Sequence, residues 1–261
     1  MIVIKFGGHA MKDENGAFAT AIVDALAVGE TVVVVHGGGP QIDAGLRAAG
    51  ILSEFIGGFR STSPQAFAIV ERVLTQEVGP GIAHTLINAG INAKAVSGRA
   101  LPTFLSIRKT ALVDGTPADL GQVGDVVSVN TSQVLDLIAQ KILPVISPVS
   151  ADINSEDGLN VNADLAAAAL AGALKASVLI VMTDVAGIYR NWPDKTSLID
   201  AICAEELESI KSTFSQGMAP KVQAALDAIA QGAQAVRIID GTDPESFAAA
   251  LSGTGGTLVV A

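Results

Sequence analysis

Short runs of β-branched and apolar residues alternate along this chain with longer, alanine-rich stretches. Ile2–Phe6 and residues 31–35, the latter almost pure valine, read as strands. Residues 93–96, 143–146, Val178–Thr183, 235–239 and Thr257–Val260 read the same way. Runs apolar on both sides suit strands buried on both faces of a parallel sheet. Ala17–Ala27 and residues 42–49, 131–140, 163–174, 204–212 and 221–231 read as helices. Residues 64–74 carry apolar side chains at 66, 67, 69, 70, 73 and 74, an amphipathic helical spacing. Gly79-Pro80-Gly81 predicts a break before a second helical stretch at 82–89. Residues 101–129, punctuated by glycine at 115, 121 and 124, predict hairpins, and 187–200 a long loop or hairpin. Strands alternating with helices predict an α/β fold, a three-layer α/β/α sandwich with a mainly parallel central sheet. If the 261 residues form two lobes, those lobes share one sheet.

Composition narrows the function classes. The chain carries 26 Asp+Glu against 16 Lys+Arg, a net charge of −10. So few cations argue against broad nucleic-acid binding. The hydrophobic content of 49% argues against disorder. One cysteine and three histidines exclude an intramolecular disulfide and a structural zinc cluster. The N-terminus lacks a signal-peptide pattern, and no run approaches the ~20 apolar residues of a membrane span. These features predict a cytoplasmic protein with no membrane partner.

The scarcity of cations directs attention to those beside glycine-rich loops. The first strand ends in Lys5-Phe6-Gly7-Gly8 and the next in His36-Gly37-Gly38-Gly39-Pro40, each ahead of a helix. Glycines at such turns let backbone N–H groups converge on an anion, and ligands of open α/β sheets collect at strand carboxyl ends. Neither a P-loop nor a G-x-G-x-x-G turn occurs, which argues against a nucleotide enzyme of either common design. The His-Gly-Gly-Gly run also suits a hydrolase oxyanion hole, but the required G-x-S-x-G elbow is absent. Arg60, between Gly57-Gly58 and Ser61-Thr62, is placed to grip a carboxylate. Asn160-Val161-Asn162-Ala163-Asp164 opens the alanine-rich helix with more polar groups than one cap requires. Lys221 begins a helix, an end unfavourable for a cation, so it needs a compensating anion such as Asp164 or a bound phosphate.

Taken in order, these pieces, with Leu120-Gly121-Gln122-Val123-Gly124-Asp125, Thr183-Asp184-Val185-Ala186-Gly187 and Gly217-Met218-Ala219-Pro220-Lys221, resemble the amino acid kinase family over essentially the whole chain. The Asn-Val-Asn-Ala-Asp and Gly-Met-x-x-Lys pieces are most similar to the branch that phosphorylates N-acetyl-L-glutamate with MgATP in arginine biosynthesis. That resemblance implies Lys5 and Lys221 as transition-state cations and Asp164 as the carboxylate holding them. It implies acceptor contacts at Gly38, Gly39, Arg60 and Asn160. It implies nucleotide contacts at Gly7, Gly8, Thr183, Asp184, Gly187, Ile188, Thr213 and Ser215, with Mg²⁺ bound through phosphates and no protein metal ligands. Residues 1–175 then form an acceptor-binding and dimerising lobe, and 176–261 a nucleotide-binding lobe. Arginine-inhibited hexameric relatives carry an extra helix ahead of the first strand; its absence here implies the arginine-insensitive type and a homodimer. The segment 74–81 is less basic than the resemblance leads one to expect. Two alternatives remain open: a kinase for another carboxylate, such as carrier-bound aminoadipate, and a non-catalytic sensor on the same fold.

Overall fold

The computed structural model describes residues 1–7, 16–100, 102–214 and 217–261. The elements run β1 (Ile2–Phe6), α1 (Ala17–Ala27), β2 (Val32–His36), α2 (Gly39–Ala48), β3 (Phe55–Ile56), β4 (Phe59–Arg60), α3 (Pro64–Arg72), a π-helical segment (Val73–Val78) and α4 (Gly79–Asn88). They continue with β5 (Ala93–Ser97), β6 (Phe104–Arg108), β7 (Val123–Val129), α5 (Ser132–Ala139), β8 (Leu143–Ser147), β9 (Val149–Asp152), β10 (Gly158–Val161) and α6 (Ala163–Ala173). The chain closes with β11 (Val178–Thr183), β12 (Ala201–Cys203), α7 (Ala204–Ile210), α8 (Ala219–Ala230), β13 (Ala235–Asp240), α9 (Pro244–Leu251) and β14 (Thr257–Val260).

Among the described residues, eight strands form the central sheet in the order β12-β14-β13-β11-β1-β2-β8-β5. All neighbours are parallel except β13 and β14, so β14 and β12 run opposite to the other six. Side chains alternate between faces along a strand, and two cores result. Ile2, Ile4 and Phe6 of β1 join Val32 and Val34 of β2 in a core with side chains of α1, α2, α3, α4 and α9. Val3, Val33 and Val35 join the opposite core with α5, α6, α7 and α8. The same period sends Lys5 to the α6 face and His36 to the α3–α4 face.

The alanine run of α6 lets it lie close to its neighbours. Ala166 to Ala168, Leu170 and Ala171 are fully buried. A Cβ on Gly172 would meet the Gln231 backbone at 3.2 Å, so α6 and the end of α8 pack without room for a side chain. Asn162 caps α6, its Oδ1 accepting from the N–H of Asp164 (2.9 Å) and of Leu165 (3.3 Å).

The sequence expectations need three corrections. Gly79-Pro80-Gly81 is not a break: residues 64–88 are helical throughout, and the π-helical segment precedes the proline. Proline lacks an N–H and crowds the preceding turn of a regular α-helix, so the wider π turn, with glycine before it, lets helix continue. The 101–129 region does pair β6 with β7 as antiparallel neighbours, but both belong to a closed four-stranded unit, β10-β7-β6-β9, rather than to isolated hairpins. Finally, residues 244–251 form a helix and 201–203 a strand that periodicity did not reveal.

Candidate active site

Three charged side chains from three elements meet at the carboxyl ends of β1 and β11. Lys5 Nζ lies 2.8 Å from Asp164 Oδ1, and Lys221 Nζ lies 2.9 Å from Asp164 Oδ2. Lys5 Nζ also donates to the Met182 carbonyl oxygen at 3.3 Å. Lys5 and Asp164 are buried, at 8% and 4% exposure. Burial alone would push the Asp164 carboxyl up, but the charges and hydrogen bonds of Lys5 and Lys221 hold it well below the usual carboxylate range. The Asp164 carboxylate in turn holds the Lys221 ammonium above its usual range against the effect of burial, and Asp184 adds to this. The cation at the start of α8 thus finds its anion in the first turn of α6, where a carboxylate suits the helix dipole.

Lys221 lines one cavity, and Asn162 and Ala163, which precede Asp164, line another. The larger, about 890 Å³, is lined by Thr183, Asp184, Tyr189, Trp192, Phe214 and Lys221, among others. The smaller, about 170 Å³, is lined by Gly37 to Gly39, Arg60, Leu74, Asn160 and Ala163, among others. Gly7 and Gly37 pack backbone to backbone: a Cβ on Gly7 would meet the Gly37 nitrogen at 3.2 Å. The Gly37 N–H donates to the Phe6 carbonyl at 2.7 Å, which fixes the two loops side by side. A Cβ on Gly38 would meet Leu74 Cδ2 at 2.7 Å, so the Leu74 side chain would have to shift to admit it.

In the smaller cavity Arg60 is buried and held from several sides. Its Nη1 donates to Asp43 Oδ1 at 2.5 Å and to the Ser53 hydroxyl, and its Nη2 reaches the Gly39 carbonyl at 3.4 Å. The guanidinium also stacks on Phe55, 4.6 Å from the ring centroid. Partial burial works against ionisation of Asp43, yet the hydrogen bonds from Arg60 and Ser53 and the charges of Arg60 and Arg47 keep its carboxyl below the usual range. Asn160 Nδ2 donates to Thr62 Oγ1 at 3.1 Å, which anchors the β10 end of the cavity.

Of the nucleotide residues implied by sequence, Thr183, Asp184 and Thr213 line the larger cavity. Gly187 and Ile188 meet Thr257 of β14. A Cβ on Gly187 would meet the Thr257 nitrogen at 3.0 Å, Ile188 N–H donates to Thr257 Oγ1 at 2.8 Å, and the Ile188 side chain is fully buried. Both therefore pack the loop onto β14. Gly8 and Ser215 lie outside the described residues. Sequence reasoning missed the aromatic wall: Tyr189 and Trp192 meet edge to face, ring centroids 5.2 Å apart. The signal was there, since the single Tyr and single Trp of the chain stand three positions apart. It also missed Asp43 and Ser53, which carry no motif.

A family model described as the amino acid kinase family matches residues 1–240. The chain is 45% identical over 254 residues to the acetylglutamate kinase of Arthrobacter sp. strain FB24, covering 94% of this chain and 82% of that protein. It is 48% identical over 252 residues to the acetylglutamate kinase of Bifidobacterium adolescentis, covering 94% and 78%. Among solved structures, the fold matches smu.665 of Streptococcus mutans UA159 with a TM-score of 0.82 at 27% identity, covering 99% and 98%. It also matches carbamate kinase from Giardia lamblia bound to AMP-PNP, with a TM-score of 0.73 at 20% identity, covering 99% and 97%. This chain belongs to the amino acid kinase family.

Proposed function

We propose that this enzyme transfers the γ-phosphoryl group of ATP to the side-chain carboxylate of N-acetyl-L-glutamate, a step of arginine biosynthesis. The relatives at 45–48% identity that cover most of the chain carry that activity in their names. The observation that carries the mechanism is the Lys5–Asp164–Lys221 cluster, with Lys221 lining the larger cavity and Asn162 and Ala163, which precede Asp164, lining the smaller.

A carboxylate is ionised near neutral pH and needs no general base. Its oxygen attacks the γ-phosphorus, the bond to the bridging oxygen breaks, and ADP leaves with that electron pair. No net proton is gained or lost. The remaining obstacle is repulsion between an anionic acceptor and a polyanionic donor. Phosphoryl transfer is catalysed mainly by positioning and charge stabilisation. Lys5 and Lys221 supply that charge, each oriented by one oxygen of Asp164. The backbone N–H groups of the 37–39 loop add fixed dipoles at no reorganisation cost. Arg60 and Asn160 bind the acceptor in the smaller cavity, and Thr183, Asp184 and Thr213 line the nucleotide cavity. Residues 1–175 thereby serve the acceptor and 176–261 the nucleotide, and the protein acts as a cytoplasmic homodimer.

Among the described residues no group of three or more His, Cys, Asp or Glu side chains is placed to hold a metal ion. Asp164 is already engaged by two ammonium groups. Mg²⁺ would enter with ATP, bound through its phosphates.

A coupled ADP-release assay with N-acetylglutamate, glutamate and aminoadipate tests the assignment. Turnover is expected with N-acetylglutamate; turnover with another acid and none with N-acetylglutamate overturns it.

A further inference from the structure

His36 is fully buried beside the acceptor cavity, and the mechanism above makes no use of it. It ends β2, and the strand period turns its ring toward the π-helical segment. The ring fits there because residue 79 is glycine: a Cβ at that position would stand 3.0 Å from Nε2. Among the described residues, each ring nitrogen has one partner. Nδ1 lies 2.7 Å from the Gly37 carbonyl oxygen, and Nε2 lies 2.9 Å from Ser147 Oγ. A carbonyl oxygen can only accept, so Nδ1 carries the proton. Nε2 is then left an acceptor facing the Ser147 hydroxyl, whose single hydrogen is shared between Nε2 and the Leu74 carbonyl oxygen, to which Ser147 Oγ donates at 3.2 Å.

The consequence lies in the next peptide. In a planar trans peptide the C=O and the following N–H point in opposite directions. With the Gly37 carbonyl turned to the His36 ring, the Gly38 N–H is turned away from it. Gly37, Gly38 and Gly39 all line the acceptor cavity, together with Leu74. Gly38 also precedes α2, where N–H groups are free of intrahelical partners.

We propose that His36 is a positioning residue: by holding the Gly37 carbonyl it aims the Gly38 N–H into the acceptor cavity and sets the anion-binding face of the 37–39 loop before substrate arrives. This rests on the reading that Gly38 and Gly39 contact the acceptor or the transferred group. It gives the histidine of the His-Gly-Gly-Gly run a task without any hydrolase chemistry. Ser147 and the π-helical segment act through the same ring.

The test has a structural arm and a kinetic arm. In the labelled wild-type protein at neutral pH, long-range ¹H–¹⁵N spectra should show the His36 ring protonated at Nδ1 and bare at Nε2. A ring protonated at Nε2 overturns the proposal whatever the substrate is. In kinetics, His36→Gln and His36→Leu should lower kcat by about 10–10²-fold while the KM for ATP stays within about 3-fold, since loosening a catalytic loop acts on the reacting geometry. His36→Asn places an amide donor where Nδ1 stood and should recover most of that loss. Equal kcat for the Asn and Gln variants overturns the proposal, as does an undiminished kcat for the Leu variant. If the Leu variant fails to fold, the Asn–Gln pair and the wild-type spectrum decide. A wild-type enzyme inactive on N-acetylglutamate would refute the function and leave the spectrum to judge the ring.

Discussion

Lys221 and Asp164, 57 positions apart in the chain, meet at 2.9 Å between the first turns of two neighbouring helices. Each helix start would repel a bare cation and welcome a carboxylate, so Asp164 is what allows Lys221 to stand there. Replacing Lys221 by Ala should lower kcat by about 10²-fold, the loss expected for one charge stabiliser. Replacing Asp164 by Asn should cost both activity and stability. It leaves two ammonium groups, one largely buried, without their anion, and breaking such a pair costs roughly 3–5 kcal/mol. ADP release and urea unfolding measure the two effects separately. An Asp164→Asn protein of full stability would show that the cluster is not an ion-pair network.

Arg60 is clamped by Asp43, Ser53 and the Phe55 ring before any ligand is present. Lysine keeps the charge but loses the planar fork and the stack. Arg60→Lys should therefore raise the KM for N-acetylglutamate by about 10-fold or more, the worth of a charged hydrogen bond, and leave the KM for ATP unchanged. Equal effects on both substrates would place Arg60 outside the acceptor site.

Trp192, 59% exposed, stands in the wall of the larger cavity against Tyr189. Stacking on an aromatic side chain contributes ~1–3 kcal/mol per base. Trp192→Ala should raise the KM for ATP by about 5- to 140-fold on that scale and spare the acceptor. As the single tryptophan of the chain, it should also report ADP binding through its own fluorescence. Emission unchanged at saturating ADP would separate the aromatic pair from the nucleotide.

The parts of this site that sequence made visible are those with local signatures. Lys5, the glycine loops, Asp164 and Lys221 sit at strand-to-helix or loop-to-helix junctions, where a short motif and its structural setting coincide. The doubly buried strands were legible for the same reason, because burial on both faces leaves a continuous apolar run. The four-stranded unit was not. Its strands β9 and β10 have four residues each, and β6 pairs with β9 across more than forty positions of chain, so no local period encodes it. Gly79-Pro80-Gly81 misled because two breaker residues outweighed a helix that a π turn rescues. Gly187 and Ile188 carry a motif that the fold uses to seat a loop on β14, whereas Asp43, which holds Arg60, carries no motif at all.

Acid should expose the cost of burying His36. Burial lowers its pKa from 6.5 to about 4, with the Gly37 hydrogen bond working the other way. The unfolded chain then binds a proton more readily than the folded one between those values. The contribution to stability is complete above pH 6.5 and is lost as pH falls toward 4, on the order of 3 kcal/mol. Asp164 adds a further loss at lower pH, since its carboxyl is held below 3.8 in the folded state. Urea midpoints measured from pH 7 to pH 4 should fall for the wild type and fall less steeply for His36→Asn. Parallel slopes would mean that His36 is not the group titrating.

Gly172 links packing to chemistry. It lies on α6, the helix that carries Asp164, and it faces Gln231 at the end of α8, the helix that carries Lys221. An added Cβ would meet backbone atoms of Gln231 at 3.2 and 3.3 Å as well as its Cβ, so no side-chain rotation relieves the clash. Gly172→Ala should therefore push the two helices apart and destabilise the protein by ~1–3 kcal/mol, the usual cost of overpacking. Alanine's better helix propensity offsets at most about 1 kcal/mol of this. Because the displaced helices hold the two partners of the ion pair, kcat should fall as well, although Gly172 lies at the opposite end of α6 from Asp164. A variant that loses stability but keeps full kcat would show that the Asp164–Lys221 contact is set locally, by Asn162 and the loop before α8, rather than by how closely the two helices pack.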